Sequence, residues 1–300
     1  MALAAAMMWT GCLKVEEMPV EEPKAQAQVF TMKVRADREM PDQVGHDGTK
    51  GLDLTGTTLN TIWRNTESVS VFANGAYLAE TLSVTPDSEN ASRADLSGSV
   101  TITGIRVNDE IKLQVPRRTW DYTGQKGILL GADVAGSIEK DYSYALASVT
   151  VSGITPGEGN AGTLTTTNAH FQNQQHIYRL SFKHNDLPLA VTAVTISSSK
   201  NKIVLSRNLS TGTTTYGALT VNMATSSSDL ADGLVCVALR NDDETAQDYF
   251  FSVTGSDGLT YVGSKSIPAE AFSHGFLGIK NLPLSMLSLS MSSTPVNEVL

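Results

Sequence analysis

Apolar and polar residues alternate along much of the chain with a period of two, which is the pattern of half-buried β-strands. The first clear instance is 29–35, where Phe30, Met32 and Val34 alternate with polar side chains. We expect these three residues to face a core from the first strand of the fold. Residues 35–51 include few apolar side chains and many charged ones, which predicts a soluble tether between that strand and the body.

Apolar segments of strand length recur from residue 57 onward, while helical periodicity is scarce. The segment 68–72 stops at the turn pair Asn74-Gly75, and 249–254 and 259–262 flank a Gly-Ser-Asp-Gly turn as the clearest hairpin. Many short strands, with turn signals at a spacing of about 8 to 12 residues, predict an all-β fold of two β-sandwiches in tandem with few short helices.

A chain of 300 residues corresponds to roughly two domains of about 150 residues each. The composition changes at 152–167, where glycine and threonine are frequent and little can be buried, which favours a domain boundary. We therefore predict a leader and tether at 1–27, an N-terminal β-sandwich at 28–165 and a C-terminal β-sandwich at 166–300.

The charge balance argues against a nucleic-acid partner. The chain has 22 basic and 31 acidic residues, a formal net charge of −9, and its basic residues do not cluster beyond Arg117-Arg118. Phosphate binding needs a basic face, and this composition does not provide one. Apolar residues make up 41% and charged residues 18%, proportions that are typical of soluble globular proteins.

The two cysteines, Cys12 and Cys236, are too few for a disulfide framework. Cys236 lies within the apolar run 234–239, which predicts an inert thiol on a buried strand. Cys12 ends an apolar run that is too short to span a bilayer and suits a signal peptide. Thr10-Gly11 before Cys12 resembles a bacterial lipobox, so we expect lipidation of Cys12; an unprocessed apolar tail is the alternative.

No residue grouping in the sequence points to catalysis, a metal or a cofactor. The five histidines match no regular zinc spacing, and neither a nucleophile elbow nor a phosphate-binding glycine motif occurs. The best candidates for ligand contact are Trp120 and Tyr122 near a strand end, either as an exposed glycan platform or as loop aromatics packed over the sandwich. We predict a protein without enzymatic activity.

Several motifs, taken in order, resemble one family. Residues 50–72, KGLDLTGTTLNTIWRNTESVSVF, place a tryptophan before a short turn and a Val-x-Val-aromatic strand. Asp-Tyr-Ser-Tyr at 141–144, the segment 178–184 and Val-Thr-Ile at 194–196 follow at matching positions. Together with Cys12, these motifs resemble the fimbrillin-like proteins over most of the chain.

The resemblance implies a subunit of a type V pilus with two transthyretin-like β-sandwich domains. Members are exported as lipoproteins to the outer membrane and trimmed by an arginine- or lysine-specific protease, which removes the first strand. The exposed groove then accepts a strand from the next subunit. The implied partners are therefore other pilus subunits, that protease and, before processing, the outer membrane. The resemblance implies that Phe30, Met32 and Val34 belong to the removable strand. It also implies three candidate cleavage positions, Arg35, Arg38 and Lys50.

Two interpretations of the function stay open. One is a shaft, tip or anchor subunit of a cell-surface fimbria, assembled by donor-strand exchange. The other is a surface-tethered β-sandwich lipoprotein that binds glycans or host proteins. The segment 282–291 is either a donor strand or the last strand of the second sandwich, because 292–300 forms a polar extension beyond it.

Overall fold

A computed structural model describes residues 26–38, 52–55, 58–117, 144–222, 234–243, 245–269, 286–290 and 292–293. These residues form almost entirely strands and turns, which confirms the all-β prediction. Within these ranges no helix has the length and apolar character needed to cross a membrane. The strands, in chain order, are β1 (Ala27–Arg38), β2 (Leu52–Thr55), β3 (Thr58–Thr61), β4 (Ser68–Ala73), β5 (Ala76–Pro86), β6 (Arg93–Thr103), β7 (Glu110–Val115), β8 (Ala145–Pro156), β9 (Ala161–Thr166), β10 (Ala169–Asn173), β11 (His176–His184), β12 (Leu187–Pro188), β13 (Val191–Ser198), β14 (Val204–Arg207), β15 (Thr214–Tyr216), β16 (Leu219–Asn222), β17 (Leu234–Leu239), β18 (Gln247–Gly255), β19 (Thr260–Ile267), β20 (Met286–Ser290) and β21 (Ser292–Ser293).

The first half of the chain forms a closed, barrel-like sheet rather than the predicted two-layer sandwich. Its eight strands follow the order β10-β1-β6-β5-β4-β7-β8-β9, and additional pairings of β10 with β8 and of β9 with β1 close the ring. β9 and β10 lie end to end between β8 and β1, because β9 pairs with β1 at 29–32 and β10 pairs with it at 36–38.

β1 is hydrogen-bonded along both of its edges. It runs antiparallel to β6 from Ala27↔Thr103 to Asp37↔Arg93, and parallel to β9 and β10 on its other side. The expected tether from residue 35 onward is wrong at its start, since the strand continues to Arg38. The physical reason is that the period of two continues, with Ala36 and Arg38 both pointing inward.

The core of the closed sheet is mostly aliphatic and includes the aromatic residues Phe30, Trp63 and Phe171. Trp63 is buried and meets the Phe171 ring edge to face at 4.9 Å. Asn74 and Gly75 both have positive φ in the β4–β5 turn, as the Asn-Gly pair predicts.

The second half has two facing sheets with a shared core. β11 pairs with β17, β12 and β20, while β16-β13-β18-β19-β21 form the other sheet. Phe182 of the first sheet and Phe251 of the second pack together, with ring centroids 6.1 Å apart. The predicted hairpin at 249–262 is confirmed as β18 and β19.

Of the segment 282–291, the described residues form β20. β20 runs parallel to β11, and β21 pairs with β19, so the chain passes from one sheet to the other between Ser290 and Ser292. Residues 152–166 lie in β8, β9 and the turn between them, and Thr167 follows β9. The division into two domains at residue 165, and their transthyretin-like character, stay predictions.

Candidate functional site: β1 and its groove

From Phe30 to Ala36, the inward side chains of β1 decrease in size. Phe30, Met32, Val34 and Ala36 are all at most 3% exposed, which confirms the predicted burial of the first three. Their partners on β6 are Val100, Gly98, Leu96 and Ala94. We call the surface that receives β1, formed by β6 on one side and by β9 and β10 on the other, the β1 groove.

Gly162 on β9 makes room for the Phe30 ring. A Cβ atom built on Gly162 would lie 3.0 Å from two ring carbons of Phe30 and 3.1 Å from the backbone oxygen of Thr155. These distances are tighter than ordinary van der Waals contact, so a side chain at this position would push the ring or the strand away. The groove therefore has a notch that fits an aromatic side chain at the position of Phe30.

The outward face of β1 bears an ion-paired arginine. Arg35 stands directly opposite Asp95 in the β1–β6 register, with Nη1 3.0 Å from Asp95 Oδ1, and its Nη2 donates to Asp87. The hydrogen bonds to Asp87 and Asp95 raise the pKa of Arg35. The pKa of Asp87 is lowered because its carboxylate accepts the backbone N–H of Glu89 and the Arg35 guanidinium. Two carboxylates thus converge on one guanidinium.

The next outward position has the opposite charge. Asp37 lies opposite Arg93 on β6 and opposite His170 on β10, and its carboxylate is 2.6 Å from His170 Nδ1. The basic Arg93 therefore lies opposite Asp37 on β6, and His170 hydrogen-bonds it from β10, whereas acidic side chains surround Arg35. The outward face of β1 and its surroundings are complementary in charge, with the sign reversing over two residues.

Arg38 fastens the end of β1 to the connection between β3 and β4. Its guanidinium donates to the Ile62 carbonyl at 2.8 Å and to Glu67 Oε1 at 2.9 Å, and lies 4.1 Å from the centre of the Trp63 ring. The side chain is only 3% exposed, and this burial lowers the pKa of Arg38 while Glu67 opposes the shift. We refer to Arg38, Ile62, Trp63 and Glu67 as the Arg38 latch.

The structure brings five of the predicted site residues together on one strand: Phe30, Met32, Val34, Arg35 and Arg38. The other four, Cys12, Lys50, Trp120 and Tyr122, lie outside the described residues. Within the part of the chain that is described, no three His, Cys, Asp or Glu side chains are grouped closely enough to hold a metal ion.

Sequence reasoning missed the acceptors of the two arginines. Asp87, Asp95 and Glu67 are far from β1 in the chain, and each is an ordinary charged residue in a loop or on a strand face. The only local signal was that Arg38 continues the inward positions of the alternation, where a charged residue requires a buried partner.

No protein-family model and no curated protein matches the chain. The solved structures that resemble it at low identity include the following three. A proposed cell adhesion protein of Bacteroides ovatus is 12% identical, with a TM-score of 0.35, over 88% of this chain and 95% of that one. A proposed adhesin of the same species is 11% identical, with a TM-score of 0.34, over 96% and 100%. A proposed cell adhesion protein of Parabacteroides distasonis is 9% identical, with a TM-score of 0.32, over 88% and 96%. Likeness at this level assigns neither fold nor function.

Proposed function

We propose that the protein is a structural or adhesive subunit of a cell-surface fimbria, and that it joins its neighbours by exchange of the first strand. One observation supports this most directly. The strand nearest the start of the fold, β1, is an integral part of a closed sheet and contributes a full row of core side chains. Removing it opens the ring and leaves a groove of the shape and hydrogen-bonding pattern of a strand.

The energetics favour refilling of such a groove. Exposing a buried Phe, Met or Val side chain costs about 1.5–3 kcal/mol each, so losing the three from β1 costs roughly 5–9 kcal/mol. This is comparable with the whole stability of a typical domain. Unpaired backbone groups on β6, β9 and β10 add to the cost. A strand from a neighbouring subunit offsets both terms, and head-to-tail repetition produces an open filament.

The arrangement of β1 bears on where a protease cuts. Arg35 and Arg38 are ladder residues with their side chains held in ion pairs, and Arg38 is buried. A protease binds its substrate as an extended, unpaired segment, so a cut at either arginine requires β1 to leave the sheet first. Lys50 is the one lysine or arginine between Arg38 and β2. We expect processing of the folded protein at Lys50, with export as a lipoprotein through Cys12.

The test uses the full chain with a recognition sequence for a specific protease placed in 40–49. After cleavage, a labelled peptide that copies Ala27–Arg38 is expected to displace the severed β1 fragment, as followed by native mass spectrometry. A peptide with serine at the positions of Phe30, Met32 and Val34 keeps every charge and is the matched control that does not bind. A cut protein that loses β1, stays folded and monomeric and takes up no peptide would overturn the proposal.

Processing and lipidation are tested on protein purified from the outer membrane of a bacterium that expresses the chain. Mass spectrometry of the mature N-terminus is expected to find either a lipid on Cys12 or a terminus that follows Lys50. An unmodified Met1 in surface-exposed protein would contradict the lipoprotein route while leaving strand exchange to be judged by the peptide test.

A further inference from the structure

We infer that the β1 groove selects its strand by charge order as well as by apolar shape, and that it accepts a strand of another protein with a basic residue two positions before an acidic one. This inference rests on the proposed strand exchange. Its template is β1 itself, in which Arg35 and Asp37 occupy two oppositely charged positions of the groove.

The apolar face alone leaves the register incompletely specified. A shift of one residue turns every core side chain outward and is excluded. A shift of two residues keeps Phe30, Met32 and Val34 inward, so along this part of the strand only differences in side-chain size oppose it, while the Arg38 latch opposes it at the strand's end. The charged outward face adds a second criterion, because the sign of the environment changes from the Arg35 position to the Asp37 position.

Both possible shifts by two residues bring like charges together. In one direction Asp37 moves to the position of Arg35 and faces Asp87 and Asp95. In the other direction Arg35 moves to the position of Asp37, directly opposite Arg93 on β6. Like charges directly opposite each other on neighbouring strands are destabilising. The order basic then acidic therefore fixes the register of any strand that enters.

The same criterion bears on which strand enters. Residues 282–300 contain no Lys or Arg, so a second copy that offers this segment leaves Asp87 and Asp95 without a cation. The β20 strand within it also lies in the second half, paired with β11. The charges of the groove therefore favour a different protein as donor, with an extended segment that combines an aromatic inward residue with the basic-x-acidic order outward.

The experiment measures peptide binding by fluorescence anisotropy to the full chain cut at a site inserted in 40–49. Four peptides are compared: the β1 sequence, a neutral version with Arg35→Gln and Asp37→Asn, a reversed version with Arg35→Asp and Asp37→Arg, and residues 282–293. The first three peptides have the same apolar face. For partly exposed pairs we expect the neutral peptide to bind about five- to tenfold more weakly and the reversed peptide about 30- to 100-fold more weakly. These differences should shrink in 1 M salt, where the Debye length is about 3 Å.

A protein variant provides the rescue. Asp95→Arg should weaken binding of the β1 peptide and strengthen binding of a peptide with the single change Arg35→Asp, as expected for a direct pair.

Equal binding of the β1, neutral and reversed peptides would overturn the inference and leave strand exchange intact. Binding of 282–293 as tight as that of β1 would overturn the choice of partner, as would dimers of the uncut protein held by exchanged β1 strands. Failure of every peptide, the β1 sequence included, would instead reject the proposed function.

Discussion

The Arg38 latch predicts that two arginines three residues apart on one strand differ greatly in their effect on β1. Arg38→Gln removes a guanidinium that is 3% exposed and leaves Glu67, itself only 12% exposed, without its ion pair. Breaking a buried pair by removing one partner costs about 3–5 kcal/mol. Arg35→Gln removes a guanidinium that is 39% exposed, and pairs in such positions contribute about 0–1 kcal/mol.

A difference of about 3 kcal/mol corresponds to roughly a 100- to 200-fold change in the opening equilibrium of β1. Hydrogen–deuterium exchange of the uncut full chain measures this opening directly. We expect the amides of β1 to exchange about 100-fold faster in Arg38→Gln than in the wild type, and at most about fivefold faster in Arg35→Gln. The β18–β19 hairpin is the internal reference, because it lies in the other core and should not respond.

Two further variants separate charge from packing. Arg38→Lys keeps the charge but loses the planar fork and the stacking on Trp63, so intermediate exchange is expected. Arg38→Met combined with Glu67→Gln removes both charges and should recover at least half of the lost protection, since no buried charge is left unpaired. Equal exchange of β1 in Arg38→Gln and Arg35→Gln would refute the reasoning.

Three other predictions concern packing, acid stability and a buried amide. Gly162→Ala should accelerate exchange in the first half of β1, and Phe30→Leu in the same chain should partly reverse this, because the smaller side chain leaves room for the new methyl group. Tyr261 donates its hydroxyl hydrogen to Asp257 at 2.6 Å, which lowers the pKa of that carboxyl. The stability that this hydrogen bond adds is present above the pKa of Asp257 in the unfolded chain, and it is lost as pH falls through the pKa of Asp257 in the folded protein. The thermal midpoint of Tyr261→Phe should therefore lie below that of the wild type at pH 7, and the difference should disappear on acidification. Asn241→Ala should cost about 1–3 kcal/mol in urea denaturation, since the buried Asn241 amide donates to two other buried side chains.

Local structure was predictable where one strand and its turn decide it. The alternation at Phe30, Met32 and Val34 was enough to identify an inward face, because side chains of a strand alternate whatever pairs with it. The Asn74-Gly75 turn and the β18–β19 hairpin were likewise set by neighbouring residues.

Closure of the first sheet was not predictable from the same pattern. It depends on β1 meeting β9 and β10, which lie more than a hundred residues later in the chain. Parallel pairing of distant segments leaves no signal in local alternation, and a barrel and a sandwich share the same inward and outward pattern. The Arg38 latch was missed for a related reason, since the side chains that make a buried arginine tolerable come from the segment 62–67.

The parallel pairing of β1 with β10 has a mechanical consequence. The chain leaves β10 at Asn173 and enters β11 at His176, so the start of β1 and the exit of β10 lie at opposite ends of the paired region. A pull applied between residue 27 and the chain beyond residue 173 loads the β1–β10 hydrogen bonds in shear, all at once, instead of opening them one after another. A pull on β1 from its Arg38 end instead acts on the pairs with β10 in sequence. The closed sheet should therefore resist a pull between residue 27 and the chain beyond residue 173 far better than it resists a pull on the Arg38 end of β1.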